Sequence, residues 1–365
     1  MKYYIIAGEA SGDLHASNLL KEIKKNDPSA EFRGFGGDLM AEEGTFLVKH
    51  FRDLAFMGFA EVLLHLRTIL NNISSCKEDI AQWKPDALIL VDYPGFNLRI
   101  APFAKEKGIP VFYYISPQIW AWKQSRVHKI AASTDKIFCI LPFEKDFYKG
   151  FGYEVDFVGH PLLDAIAQPA KSFSLNDDGR KIIALLPGSR KQEIKTMLPE
   201  MLESAKEFPE YRFVIAGAPS QTPAFYREVI GTQKIEIVFG ETYALLRNAH
   251  AALVTSGTAT LESALHGVPE VVCYRGSMIS YQIAKQLVKV KYISLVNLVM
   301  DKEIVTELIQ EHMNSRSITN ELRKVIEGGA NRDRMMLEFD DLKTKLGGQG
   351  ASSRVANNIY EFLKR

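Results

Sequence analysis

Short apolar runs recur along the chain, each followed by a stretch with helical spacing of its apolar positions. In the first half Tyr3–Ala7, Glu31–Gly34, Ala87–Val91, Val111–Ile115, Ile137–Ile140 and Val155–Pro161 read as buried strands. Ile182–Leu186, Phe213–Ala216, Ile235–Val238, Ala252–Val254 and Glu270–Cys273 do so in the second. Between strands the spacing changes. Ala16, Leu19, Leu20 and Ile23 share one helical face, with Ser11 or Asp13 expected as its cap. Ile194, Met197, Leu198, Met201, Leu202 and Ala205 share another. Strands alternating with helices predict mostly parallel sheets. The pattern starts over at Ile182, after a polar stretch from Gln168 to Arg180. The expectation is an α/β protein of two Rossmann-like domains whose sheets face a cleft. One domain spans residues 1–168 and the other 169–345, and a C-terminal helix over 346–365 packs back on an N-terminal domain.

Composition narrows the picture little. The 365 residues suit about two domains. A formal net charge of +1 gives no support for nucleic-acid binding. Cys76, Cys139 and Cys273 stand far apart, so neither a disulfide framework nor a zinc site is expected, and a reducing, cytoplasmic setting fits. MKYYIIAGEASGD is too briefly apolar for a signal peptide, and no run approaches the ~20 residues of a spanning helix. Any membrane contact is therefore expected to be peripheral.

The chemistry concentrates at strand ends. In open parallel sheets ligands sit beyond the carboxyl ends of the strands. Asp92 ends the Ala87–Val91 run, and Pro94-Gly95 turns the chain away. A carboxylate there suits general-base work, and it equally suits capping a turn or the next helix. Gly8-Glu9-Ala10-Ser11-Gly12-Asp13 is a tight turn between strand and helix. Glu9 would repel a phosphate, which favours sugar hydroxyls as its partner; a solvated turn carboxylate fits as well. Gly188-Ser189-Arg190 is a basic turn at a helix start, able to offer backbone amides and a bidentate guanidinium to phosphate. Thr255-Ser-Gly-Thr-Ala-Thr-Leu-Glu262 is a second small-residue turn opening a helix. Its amides and hydroxyls, those of Gly257 and Thr258 among them, suit a diphosphate. Glu262, about one turn in, suits ribose hydroxyls.

Two aromatic stretches stay open to two readings. Trp120 and Trp122, beside Gln118, Lys123 and Arg126, form either a wall for a sugar phosphate or buried packing. Phe56–Leu70, with Met57, Phe59, Val62, Leu63 and Leu66 among His65 and Arg67, is either a core helix or a lipid-facing surface. His160 is either a ligand contact or a hinge residue.

The segments AGEASGD, MGFAEV, DYPGFN, SPQIWAWK, LPFE, VGHP, LPGSR, TSGTATLE and SLVNL occur in this order over nearly the whole chain. As a set they resemble the lipid-A-disaccharide synthases, inverting glycosyltransferases of GT-B fold. The resemblance implies transfer of 2,3-diacylglucosamine from its UDP donor to 2,3-diacylglucosamine 1-phosphate (lipid X), with UDP released and no cofactor. It implies Asp92 as general base, with Gly95 where some relatives carry an acid. Glu9 and Ser11 fall in the important N-terminal turn, Asn97 closes the Asp92 motif, and Arg190, Glu262 and Asn297 fall on the UDP side. It further implies a cytoplasmic enzyme peripheral on the inner membrane, able to form dimers with exchange of C-terminal segments. No Asp-x-Asp pair occurs, so turnover without a divalent ion is expected. A UDP-sugar 2-epimerase and a non-catalytic nucleotide-sugar or lipid-binding module are the alternatives.

Overall fold

The computed structural model describes residues 1–54, 66–121, 124–167, 178–276, 291–326 and 330–365. They fall into two compact units: Met1–Ala167 with Leu346–Arg365, and Gln168–Lys345.

The first unit is built on seven parallel strands: β1 (Lys2–Ala7), β2 (Glu31–Gly36), β3 (Phe46–His50), β4 (Ala87–Val91), β5 (Val111–Tyr114), β6 (Lys136–Cys139) and β7 (Asp156–Phe157). Their order is β3-β2-β1-β4-β5-β6-β7. The two-residue period of a strand sorts the apolar runs into two cores. Tyr4, Ile6, Leu88, Leu90 and Tyr113 enter one, against Ile73, Cys76 and Ile80 of the helix Leu66–Trp83. Tyr3, Ile5, Ala7, Ile89, Val91 and Phe112 enter the other, against Leu19, Leu20 and Ile23 of the helix Ala10–Asn26. Val355, Ala356 and Ile359 of the helix Ala351–Leu363 join that second core. The returning segment is fastened by the His160 amide, which donates to the Leu346 carbonyl at 2.9 Å, and by Asp164, which accepts from the Gly350 and Ser352 amides at 2.6 and 2.9 Å. His160 is thus buried structure at the chain crossover.

The second unit has six parallel strands: β8 (Ile182–Leu186), β9 (Arg212–Gly217), β10 (Glu236–Phe239), β11 (Ala249–Thr255), β12 (Glu270–Tyr274) and β13 (Thr306–Ile309), ordered β10-β9-β8-β11-β12-β13. Both sheets reverse their strand order once, between β1 and β4 and between β8 and β11. These are the topological switch points where α/β sheets bind ligands.

Three local expectations change. Val155–Pro161 pairs as a strand only over Asp156–Phe157, because Gly159 adopts a positive φ of 82°. Edge strands β3 and β13 are added to those expected; each mixes apolar residues with polar ones, Lys49 and His50 in one and Thr306 and Glu307 in the other. The first helix begins at Ala10 with Glu9 at its N-cap, so neither Ser11 nor Asp13 caps it. Buried Asp13 instead accepts from the amides of Gly37, Leu39 and Met40 at 2.8–3.1 Å, closing the start of the helix Asp38–Glu42.

Candidate active site

In the first unit, β1 and β4 pair in register with Ala7 opposite Val91. Glu9 lies two residues past that pair and Asp92 one, so the parallel register itself delivers both acids to the switch point. The turn that presents Asp92 is strained. Asp92 and Tyr93 both lie in the left-handed region, at φ 46° and 47°. Such a conformation costs about 1–2 kcal/mol per residue. Three hydrogen bonds hold it: the Asp92 amide to the Tyr114 carbonyl at 3.1 Å, and the Tyr113 hydroxyl and Asn97 Nδ2 to the Asp92 carbonyl, each at 2.7 Å. The Tyr93 ring stacks on Phe96 at 5.6 Å and lies over Gly8, where a Cβ would collide with it. Glycine at position 8 therefore lets the Asp92 turn close onto the Glu9 turn.

Asp92 is partly buried. Burial pushes its carboxyl up from the ordinary 3.8 to about 7, with the charge of Glu9 adding to the rise. The carboxyl is thus poised to take a proton near neutral pH, the condition a general base requires. Ser11 is exposed on the first turn of the helix Ala10–Asn26, and Gln118 is exposed on the segment after β5.

Two expected acceptor contacts have other places. Asn97 is fully buried, and its amide nitrogen serves the Asp92 backbone. Trp120 is buried with its ring edge-on to Phe143 at 4.9 Å, and its Nε1 donates to Glu144 at 3.2 Å. It packs rather than stacking on a sugar. Trp122 and Lys123 lie outside the described residues.

Glu144 was not singled out from sequence. Its carboxylate also accepts from the Ile140 and Leu141 amides at 3.1 and 3.0 Å, opening the helix Pro142–Gly150. Burial raises its pKa to about 7, and Asp92 adds to that rise. Proline at the first helical position and an acid two residues on were the available signal.

In the second unit, Leu186 of β8 pairs with Val254 of β11, so the two small-residue turns leave the sheet side by side. Each opens a helix, Lys191–Ala205 and Thr258–Leu265. The amides of a helix's first turn lack intrahelical partners and favour anions. Gly188, at φ 111°, makes room for Glu193: a Cβ there would stand 2.6 Å from Glu193 Oε2. That carboxylate accepts from the Ser189 and Arg190 amides, each at 3.3 Å, and pairs with Arg190 Nη1 at 2.8 Å. An internal carboxylate thus occupies donors that a phosphate would use. The Arg190 side chain remains 63% exposed and can turn to a ligand. Gly257 sits at φ 132° and Thr258 is exposed at the head of the second helix.

Glu262 follows Thr258 by four residues, hence on the same helix face. It is partly buried, accepts from the Tyr243 hydroxyl at 3.3 Å, and is pushed up to about 7 by burial. Asn297 is fully buried, which departs from a nucleotide contact. Its Nδ2 donates to the Val305 carbonyl and to Glu307, and its Oδ1 accepts from the Ile304 and Val305 amides, at 2.8–3.1 Å. With every polar position of its amide engaged, it braces the approach to β13.

Met57, Phe59, Val62 and Leu63 lie outside the described residues, and Leu66 begins the helix Leu66–Trp83. Among the described residues no helix is long and apolar enough to cross a membrane, and no three His, Cys, Asp or Glu side chains are grouped to hold a metal ion.

Comparison with known proteins gives a family for this arrangement. The profile of the family described as lipid-A-disaccharide synthetase matches residues 3–357. The lipid-A-disaccharide synthase of Geobacter metallireducens is 38% identical over 98% of this chain and 96% of its own length. That of Syntrophus aciditrophicus is 39% identical over 99% and 97%. Among solved structures, the UDP-GlcNAc 2-epimerase of Neisseria meningitidis bound to UDP-GlcNAc superposes with a TM-score of 0.69 at 14% identity, covering 100% of both chains. The calicheamicin glycosyltransferase CalG4 does so at 0.62 and 16%, covering 100% of this chain and 98% of its own. At these identities the structural likeness establishes the GT-B fold alone.

Proposed function

Because the chain belongs to the lipid-A-disaccharide synthase family, and is therefore a glycosyltransferase, we propose that it transfers 2,3-diacylglucosamine from UDP to lipid X with inversion at the anomeric carbon. The acceptor hydroxyl attacks that carbon from the side opposite UDP. As the new bond forms, the hydroxyl proton passes to Asp92, and the bond to UDP breaks with its electron pair. A positioned base of this kind contributes about 10²–10⁴-fold in rate. The departing diphosphate gains charge, which Arg190 and the amides at the starts of Lys191–Ala205 and Thr258–Leu265 are suited to stabilise. Glu193 must then yield those donors to the phosphate. Glu262 accepts ribose hydroxyls.

The observation that carries this reading is the parallel β1/β4 register that brings two acids to the switch point, where burial and the charge of Glu9 push the Asp92 carboxyl up to about 7. The test is incubation with both acylated substrates and mass detection of products. A β-linked disaccharide 1-phosphate plus UDP is expected. An epimerised or eliminated sugar, or UDP binding without turnover, would overturn the assignment. Acylated substrates are reached from a bilayer, so we assign the Phe56–Leu70 stretch as the docking surface on the inner face of the inner membrane. Met57→Ser with Phe59→Ser should reduce vesicle co-sedimentation, and unchanged sedimentation would refute that assignment. Homodimer formation with exchanged C-terminal segments is part of the same proposal, read from the family resemblance.

A further inference from the structure

Glu262 is an unusual choice for a site that must hold a diphosphate, since an acid close to the phosphates would repel them. It becomes useful only if its carboxylate is kept in one place, ionised, and turned toward neutral donors. The helix Thr258–Leu265 fixes its backbone one turn below the exposed Thr258. Its side chain has one hydrogen-bond donor among the described residues, the hydroxyl of Tyr243 at 3.3 Å to Oε1. Tyr243 comes from a different element, the helix Thr242–Asn248. Its ring is itself held, lying 5.2 Å from the ring of His266, whose Nδ1 stands 2.7 Å from the Glu262 carbonyl oxygen. Tyr243, Glu262 and His266 therefore form a closed bracket in which one carboxylate oxygen is tied to Tyr243, the one partner of that carboxylate among the described residues.

We infer that Tyr243 is a positioning residue for the nucleotide, its hydroxyl holding the Glu262 carboxylate in the orientation that accepts the two ribose hydroxyls. The inference rests on the reading of Glu262 as the ribose contact. The chemistry suits a vicinal diol. An ionised carboxylate is an acceptor only, with about four lone-pair sites. One oxygen serves Tyr243, and a carboxylate has lone-pair sites enough to accept from a pair of adjacent O–H donors as well. Burial favours the neutral acid at this position, and the tyrosine bond opposes that tendency. Tyr243 is itself held protonated by burial and by the adjacent carboxylate, so it remains a donor throughout the working pH range. Its removal should leave Glu262 both less ordered and more often protonated, and a protonated carboxyl accepts less well.

The experiment is calorimetric titration of the full chain and of Tyr243→Phe with UDP and with 2′,3′-dideoxyuridine diphosphate. The wild-type chain should bind UDP more tightly than the dideoxy compound. Tyr243→Phe should weaken UDP roughly tenfold, the scale of one hydrogen bond to a charged group. It should leave the dideoxy compound unchanged, which also shows that the variant is folded. Equal weakening of both ligands, or no weakening of either, would overturn the positioning role. A wild-type chain that binds the two ligands equally would overturn the ribose reading beneath it, and the inference with it. Glu262→Gln supplies the control: adding Tyr243→Phe to it should produce no further loss for UDP.

Discussion

Replacing Asp92 by asparagine should make the first unit more stable at alkaline pH. Asp92 titrates at about 7 instead of 3.8 because folding buries it and brings Glu9 near. Below pH 3.8 the carboxyl is neutral in both the folded and unfolded chain and costs nothing. Between 3.8 and about 7 the unfolded chain ionises while the folded one resists, so stability falls as pH rises. Above about 7 the loss is complete. At ~1.36 kcal/mol per pH unit the full loss is on the order of 4 kcal/mol. Between pH 5 and pH 8 it grows by roughly 2–3 kcal/mol, reduced to about 1–3 kcal/mol by the solvent that reaches a partly buried group. Asparagine carries no such charge. The advantage of Asp92→Asn over wild type should therefore widen by about 1–3 kcal/mol from pH 5 to pH 8. Trp83, Trp120 and Trp122 are the three tryptophans, and all lie in residues 1–167. Urea unfolding followed by tryptophan fluorescence thus reports the unit that holds Asp92. A stability difference that does not change with pH, or that narrows toward pH 8, would refute the claim that folding raises this carboxyl.

Other consequences can be checked separately. Glu9→Gln removes the second cause of the Asp92 shift, so the acidic limb of the kcat/KM profile should move to lower pH; an unmoved limb would show that the two acids do not interact. Arg190→Ala removes a charged partner of the diphosphate and should raise the UDP dissociation constant by about 10–100-fold, following the ~1.5–3 kcal/mol of a charge-assisted contact. An unchanged constant would leave Arg190 as nothing more than the partner of Glu193. Turnover should persist in EDTA, since the sequence holds no Asp-x-Asp pair and fixed donors are available for the leaving group; complete loss of turnover would contradict this.

The buried strands were legible because each one bordering a switch point lies in the interior of a parallel sheet and is apolar on both faces, as Ala87–Val91 and Ile182–Leu186 are. Edge strands β3 and β13 were not, since an edge exposed on one side tolerates Lys49 and Glu307. At the site, residues that end a strand at a glycine turn could be read directly: Glu9, Asp92, Arg190 and Glu262. Residues that act at a distance in sequence could not. Gly8 meets Tyr93 only because β1 and β4 pair, and Tyr243 meets Glu262 only in the fold. Asn97, Trp120 and Asn297 mark the opposite limit. Polar and aromatic groups in a motif look alike whether they face a ligand or brace the turn behind it, and only burial and the hydrogen bonds made in the fold separate the two.

The most direct test of the central claim is one comparison on Asp92→Asn, measuring turnover with both acylated substrates and UDP affinity on the same preparation. With Asp92 as the base, kcat should fall by more than about 100-fold with the UDP dissociation constant unchanged. Near-normal kcat would remove Asp92 from the proton transfer, and a parallel loss of UDP affinity would show that it serves the nucleotide instead.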